Sequence, residues 1–198
     1  MRGKFIVFEG PDGSGKTTQQ KAVASALCSA ICECEPTTGE IGRQIRRALG
    51  GEVDCAPETL ALLFAADRCE HVRALEKLLD EGKTVLCDRY VFSSIAYQGL
   101  ELDTAWIAEI NRRATERLLP DAVVYVDLPT ESCMERIARG RDHTEIFETT
   151  ERIAKVRENY ERAFAMFPSL KLIRIDGAQP PEDVTRDILE KLRGEGLI

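Results

Sequence analysis

The chain has 198 residues, 43% hydrophobic and 31% charged, and its 27 basic and 34 acidic residues leave a net charge of −7. That is enough chain to bury a full core within one domain of ordinary size, residues 1–198. The acidic balance argues against a general nucleic-acid or membrane-surface binder, and no apolar run reaches the length of a membrane span.

The first predicted element is a buried strand over Phe5–Phe8, an apolar stretch too short for a signal peptide. It leads directly into Gly10-Pro11-Asp12-Gly13-Ser14-Gly15-Lys16-Thr17, a complete G-x-x-x-x-G-K-[ST] run, and then into helical spacing over 16–29. Strand, glycine loop and helix are the context in which this motif binds a nucleoside triphosphate such as ATP. The glycines let backbone N–H groups turn in around phosphate oxygens, and the helix N-terminus adds partial positive charge. Residues Gly10 to Thr18 form the expected cradle. Lys16 reaches the outer phosphates, and the Thr17 hydroxyl can ligate Mg²⁺.

Ile31–Cys34 reads as the second strand. Cys28, Cys32 and Cys34 lie close together, but no C-x-x-C is present and no histidine stands near them. The seven cysteines therefore read as free thiols in a reducing compartment, which places the protein in the cytoplasm. Helical patterns follow over 40–49 and 57–81, the second opening at Pro57-Glu58 and stopping at Gly82. The third strand, Thr84–Cys87, ends in Asp88-Arg89. A carboxylate at the carboxyl end of a core strand can hold Mg²⁺ beside a phosphate loop, and the arginine after it can grip a second phosphate through two parallel bonds. Two phosphorylated ligands are thus expected. Helices over 103–117, 130–138, 149–166 and 181–193 alternate with strands at Ala122–Val126 and Leu170–Ile175. This alternation predicts an α/β three-layer sandwich, a parallel sheet of about five strands with helices on both faces, and ligands at the carboxyl ends of the strands. The polar stretch Arg139–Glu145 interrupts two helices and marks a lid at about 137–148.

Several motifs together resemble the thymidylate kinases, a family of P-loop nucleoside monophosphate kinases. They are Phe8 through Gln19, Glu35-Pro36 with Gly42 and Ile45-Arg46, Leu63-Phe64-Ala-Ala-Asp-Arg68, and Asp88 through Gln98, the last being the most specific. The resemblance spans nearly the whole chain. It implies Mg²⁺-dependent transfer of the ATP γ-phosphoryl group to dTMP, in a homodimer. It also implies roles for single residues. Phe64 corresponds to the aromatic that stacks on thymine, and Arg68 to the arginine that donates to a thymine carbonyl. Arg46 and Arg89 correspond to the pair on the dTMP phosphate. Asp12 corresponds to the acid near the deoxyribose hydroxyl, and Tyr97 to the residue packed on C2′. Ser94 and Gln98 lie near the base, and Glu35-Pro36 shapes the pocket floor. In this family the cation on the transferred group comes either from the phosphate loop, at the position of Gly13 here, or from the lid. With glycine in the loop, Arg136, Arg139 and Arg141 are the candidates for that cation; Arg139 and Arg141 are favoured as catalytic arginines alongside Lys16 and Arg89, with Arg136, further into the helix, as the structural alternative. The chain departs from the common pattern at Ile146, where many members carry arginine, and at Thr37-Thr38, where many carry glycine. Another nucleotide kinase and a nucleotide-gated switch are the competing readings. The Asn-Lys-x-Asp base-reading motif of a GTPase is absent from the sequence.

Overall fold

The computed structural model describes residues 2–27, 29–140 and 149–198. The strands are β1 (Phe5–Glu9), β2 (Ile31–Cys34), β3 (Val85–Asp88), β4 (Ala122–Asp127) and β5 (Leu172–Asp176). They form one parallel sheet in the order β2-β3-β1-β4-β5, as the alternation of elements predicts. The helices are α1 (Lys16–Leu27), α2 (Glu40–Leu49), α3 (Pro57–Asp80), α4 (Val91–Gln98), α5 (Thr104–Arg117), α6 (Thr130–Gly140), α7 (Thr150–Ala165) and α8 (Pro181–Gly194).

Side chains alternate across a strand, so β1 serves two cores at once. Phe5 and Val7 face one side, where they meet Val72 and Leu75 of α3, Ile95 of α4 and Tyr160 of α7. Ile6 and Phe8 face the other, with Val23 of α1 and Val184 and Ile188 of α8. Every residue of β1 is buried, which is why it reads as a continuous apolar run rather than an alternating one. A small third cluster, Leu128, Cys133, Ile137 and Ile153, joins α6 to the start of α7.

Helix α4 is the one element that the sequence spacing does not predict. Its residues Val91 through Ala96 are all buried, so it carries no polar face to betray a helical period. Its β-branched, aromatic and serine residues are also weak helix formers. Helix formation there depends on packing against α5 and α7 and on a buried acid. Glu9, the last residue of β1, accepts from the backbone N–H groups of Tyr90 at 2.8 Å and Ser93 at 3.2 Å, where the first turn of α4 has free donors. None of the helices is long and apolar enough to cross a membrane, among the described residues.

The strand order reverses around β1, with β3 on one side and β4 on the other. The loops after β1, β2 and β3 therefore open together at one end of the sheet, where ligands of such folds collect.

Candidate active site

The loop after β1 turns on glycines with positive φ. Gly13 sits at φ +81°, and a Cβ there would meet the carbonyl oxygen of Cys133 at 2.5 Å. No side chain fits between this loop and α6, so the loop itself cannot carry the second cation, and α6 packs closely enough to bring one. Lys16 is 5% exposed and lies 3.5 Å from Asp12. Burial and the nearby Arg89 charge lower its pKa, a cost that a bound phosphate would offset.

The Thr17 hydroxyl donates to Oδ2 of Asp88, across from β1 to the end of β3. Asp88 is buried, and its Oδ1 has no hydrogen-bond partner among the described residues. An orphaned carboxylate oxygen beside a hydroxyl oxygen is a donor set of hard oxygens, suited to a divalent cation that keeps several waters.

Arg89 follows at φ +71°, the one described non-glycine residue in the left-handed region. Such strain collects at functional sites. Here it turns the guanidinium away from the metal-side carboxylate and into a cavity of about 420 Å³. Arg89 donates to Asp12 and, at 3.0 Å, to Ser93, and its Cζ lies 4.8 Å from the Tyr97 ring centroid. Although burial alone would lower its pKa, the surrounding Tyr97 and Asp12 hold it well above the usual value, so it stays charged. The Tyr97 hydroxyl accepts from the backbone N–H of Asp12 at 3.0 Å. Asp12, Arg89 and Tyr97 thus form the junction between the phosphate loop and the cavity.

Phe64, Arg68, Ser94 and Gln98 line the same cavity with Glu35 and Pro36. Pro36 follows a cis peptide bond. Phe64 is half-buried, presenting a flat apolar face. Arg68 is 1% exposed. It donates to Glu35 through Nε at 2.8 Å, to Ser94 through Nη2 at 3.0 Å and to Asn111 through Nη1, and its Nη2 also lies 2.7 Å from the same Glu35 oxygen as an ion pair. Among the described residues one N–H of Nη1 is left outside these bonds. The Oε1 atom of Gln98 is buried with no protein partner among the described residues. The cavity wall therefore offers a donor and an acceptor at its base end.

Two expected residues lie elsewhere. Arg46 is exposed on α2, and its guanidinium donates to the carbonyl oxygens of Pro36 and Thr37 rather than lining the cavity. Arg139 has a side chain 78% exposed and pairs with Glu135 one turn back, 3.3 Å away. Arg136, the least favoured of the three candidates from the sequence, is the residue of α6 that reaches the loop. It donates to the carbonyl oxygens of Ser14 at 3.3 Å and Gly177 at 2.8 Å. Helix α6 presents position 136 to the loop and position 139 to solvent. Arg141, Ile146 and most of the expected lid lie outside the described residues, as does Cys28.

The sequence reading missed Glu9 as a site support. Its carboxylate also accepts from Ser93 Oγ at 2.6 Å and Tyr160 at 3.0 Å. Desolvation raises its pKa. Its place next to the glycine loop was a usable signal. It also missed Asn111 behind Arg68 and Arg152, which lines the cavity from α7. Those residues belong to no local pattern, and only the packing of α5 and α7 brings them in.

A phosphate loop that shares Asp12 with a second, arginine-lined cavity defines a phosphotransferase of the nucleoside monophosphate kinase class. Residues 8–188 match the family model described as thymidylate kinase. The chain is 46% identical to the probable thymidylate kinase of Methanococcus aeolicus over 98% of each chain. It is 42% identical to the putative thymidylate kinase of Treponema pallidum over 96% of this chain and 94% of the relative. It is 38% identical to the thymidylate kinase of Limosilactobacillus fermentum over 95% and 94%. The chain belongs to the thymidylate kinase family, and its function is that family's phosphoryl transfer.

Proposed function

We propose that this site moves the γ-phosphoryl group of ATP to dTMP, releasing dTDP and ADP. The junction of Asp12 and Arg89 carries the reading, because it sets an acceptor phosphate next to the phosphate loop. Phosphoryl transfer asks mainly for alignment and charge neutralisation. Lys16 and the loop N–H groups hold the donor phosphates. Arg89 holds the acceptor phosphate, so that one of its oxygens can attack in line as the bond to ADP breaks. Thr17 and Asp88 would hold Mg²⁺, whose charge helps to neutralise the triphosphate. Arg136 is the cation we assign beside the loop. Arg46 acts by shaping the turn at Pro36-Thr37, which forms part of the floor.

Phe64 offers a stacking face for the base. The remaining Nη1 donor of Arg68 and the unpartnered Gln98 oxygen match a ring that presents a carbonyl beside an N–H, as thymine does. Tyr97, fixed by its bond to Asp12, would crowd a ribose 2′-hydroxyl. We further propose a homodimer and a cytoplasmic location, which the family resemblance and the free thiols support. Sedimentation equilibrium tests the first.

The decisive assay is ADP release with ATP and Mg²⁺ across dTMP, dUMP, dCMP, UMP, AMP and thymidine. A strong preference for dTMP is expected. Equal turnover of dCMP would overturn the Arg68–Gln98 assignment, and turnover of thymidine would overturn that of Arg89.

A further inference from the structure

Running back from the cavity wall is a chain of four ionisable groups, of which His71 and Glu33 have no part in the reading above. Arg68 grips Oε2 of Glu35, while Oε1 of the same carboxylate meets Nδ1 of His71 at 3.0 Å. The other ring nitrogen of His71 faces Glu33 at 3.6 Å. Arg68, Glu35 and His71 are all at least nine-tenths buried, and Glu33 is partly open to solvent. Arg68 and Glu35 line the cavity, whereas His71 does not.

We propose that His71 is a positioning residue for the base end of the acceptor pocket. By occupying Oε1 of Glu35 it confines Arg68 to Oε2, and so leaves one Nη1 N–H of Arg68 for a carbonyl of the bound base. This rests on Arg68 facing the acceptor base.

The physical argument concerns a carboxylate with two oxygens and competing donors. Buried carboxylate oxygens require partners. With His71 unable to donate, the guanidinium can bridge both oxygens side by side, which is its preferred geometry. That rotation takes the fork away from Ser94, Asn111 and the cavity. A donor on Oε1 blocks it. The charge pattern agrees, since two carboxylates, one guanidinium and one imidazolium sum to zero. Burial by itself would lower the His71 pKa, but the nearby Glu33 carboxylate and the bonded Glu35 outweigh this and hold it up to about 9. The other ionisable groups around Glu35 are Cys34, Cys87 and Tyr90, all pushed up by burial and so neutral below that pH.

The test is steady-state kinetics of the full-length enzyme with ATP, Mg²⁺ and dTMP, for the native protein, His71→Leu and His71→Asn. Asparagine keeps an N–H near the Nδ1 position but does not titrate. For His71→Leu we expect KM for dTMP to rise about tenfold at pH 7, the scale of one charge-assisted hydrogen bond, with kcat and KM for ATP within about twofold. His71→Asn should recover most of that loss. In the native enzyme KM for dTMP should climb as pH passes about 9. In His71→Asn it should follow only the ionisation of the base itself, which both share. Superimposable pH profiles would overturn the proposal, as would parallel increases in both KM values for His71→Leu. If His71→Leu does not fold, the native and His71→Asn profiles decide alone. Failure of the native enzyme to phosphorylate dTMP would instead sink the functional reading on which the proposal stands.

Discussion

Arg89 bears two burdens at the scale of a single residue. It occupies a strained backbone conformation and it neutralises Asp12 inside the cavity. Alanine keeps that strain, which any residue with a Cβ meets at positive φ, and would leave the acceptor phosphate without its fork. Loss of a buried, hydrogen-bonded charge partner costs about 2–5 kcal/mol. Arg89→Ala should therefore lower kcat/KM for dTMP by about two to three orders of magnitude. Calorimetric titration of ATP alone should show less than about a threefold change, since the phosphate loop is intact. Equal losses for both nucleotides would remove Arg89 from the acceptor side. The arginines of α6 give a second contrast. Arg136 touches the loop and Arg139 points to solvent. Arg136→Ala should lower kcat about a hundredfold, the scale of one oriented donor at a developing charge, while Arg139→Ala stays near the native value. Stopped-assay kcat values at saturating ATP and dTMP separate the two, and the reverse order would return the catalytic role to the end of the helix.

Elements set these residues in place through a few close approaches. The phosphate loop meets α6 at Gly13, where even one methyl group would collide with the Cys133 carbonyl. Gly13→Ala adds the strain of a non-glycine residue at positive φ, about 1–3 kcal/mol, to that overlap. Urea unfolding should show a loss of this size, and KM for ATP should rise because the loop must move to relieve it. Helix α4 shows the limit of local reading. The run Asp88 to Gln98 is the most specific motif in the chain, yet its helix left no periodic trace because it is buried on all sides. The strands were legible for the same reason that α4 was not. The central strands β1, β3 and β4, covered on both faces, are plain apolar runs bounded by turns, whereas the edge strands β2 and β5 are partly exposed. In α1 the buried residues include Lys16, Gln19 and Gln20 beside Val23, so the helix predicted from spacing buries polar side chains as well as apolar ones. Gln20 there bonds the carbonyl oxygens of Glu33 and Leu86 at 2.7 Å each, tying the helix to β2 and β3.

For the molecule as a whole, the buried histidine links stability to pH. An unfolded histidine titrates near pH 6.5, while in the fold His71 is held up to about 9. The raised value means that the folded state binds the extra proton between these limits. Its contribution is therefore complete below about pH 6.5 and is lost as pH rises through about 9. Urea midpoints measured from pH 6 to 9.5 should show the native protein losing its advantage over His71→Asn across that window. A constant gap would mean that His71 does not carry the proton.

The amino-acid sequence alone determined the chemistry of this protein. The glycine loop with Lys16 and Thr17 is one continuous run, and Asp88-Arg89 is an adjacent pair at a strand end, so each could be read as a local motif. It also determined the class of fold, because alternating buried strands and helices close in very few ways. The tertiary structure decided which cations lie at the phosphate loop and which line the cavity. Arg136 and Arg139 are three residues apart on one helix, and only its seating against Gly13 selects between them. Likewise Arg68 takes its place from Glu35, Ser94 and Asn111, which lie 33, 26 and 43 residues away in sequence. Pairings over such separations leave no local pattern, since they form only when the sheet brings the ends of its strands together.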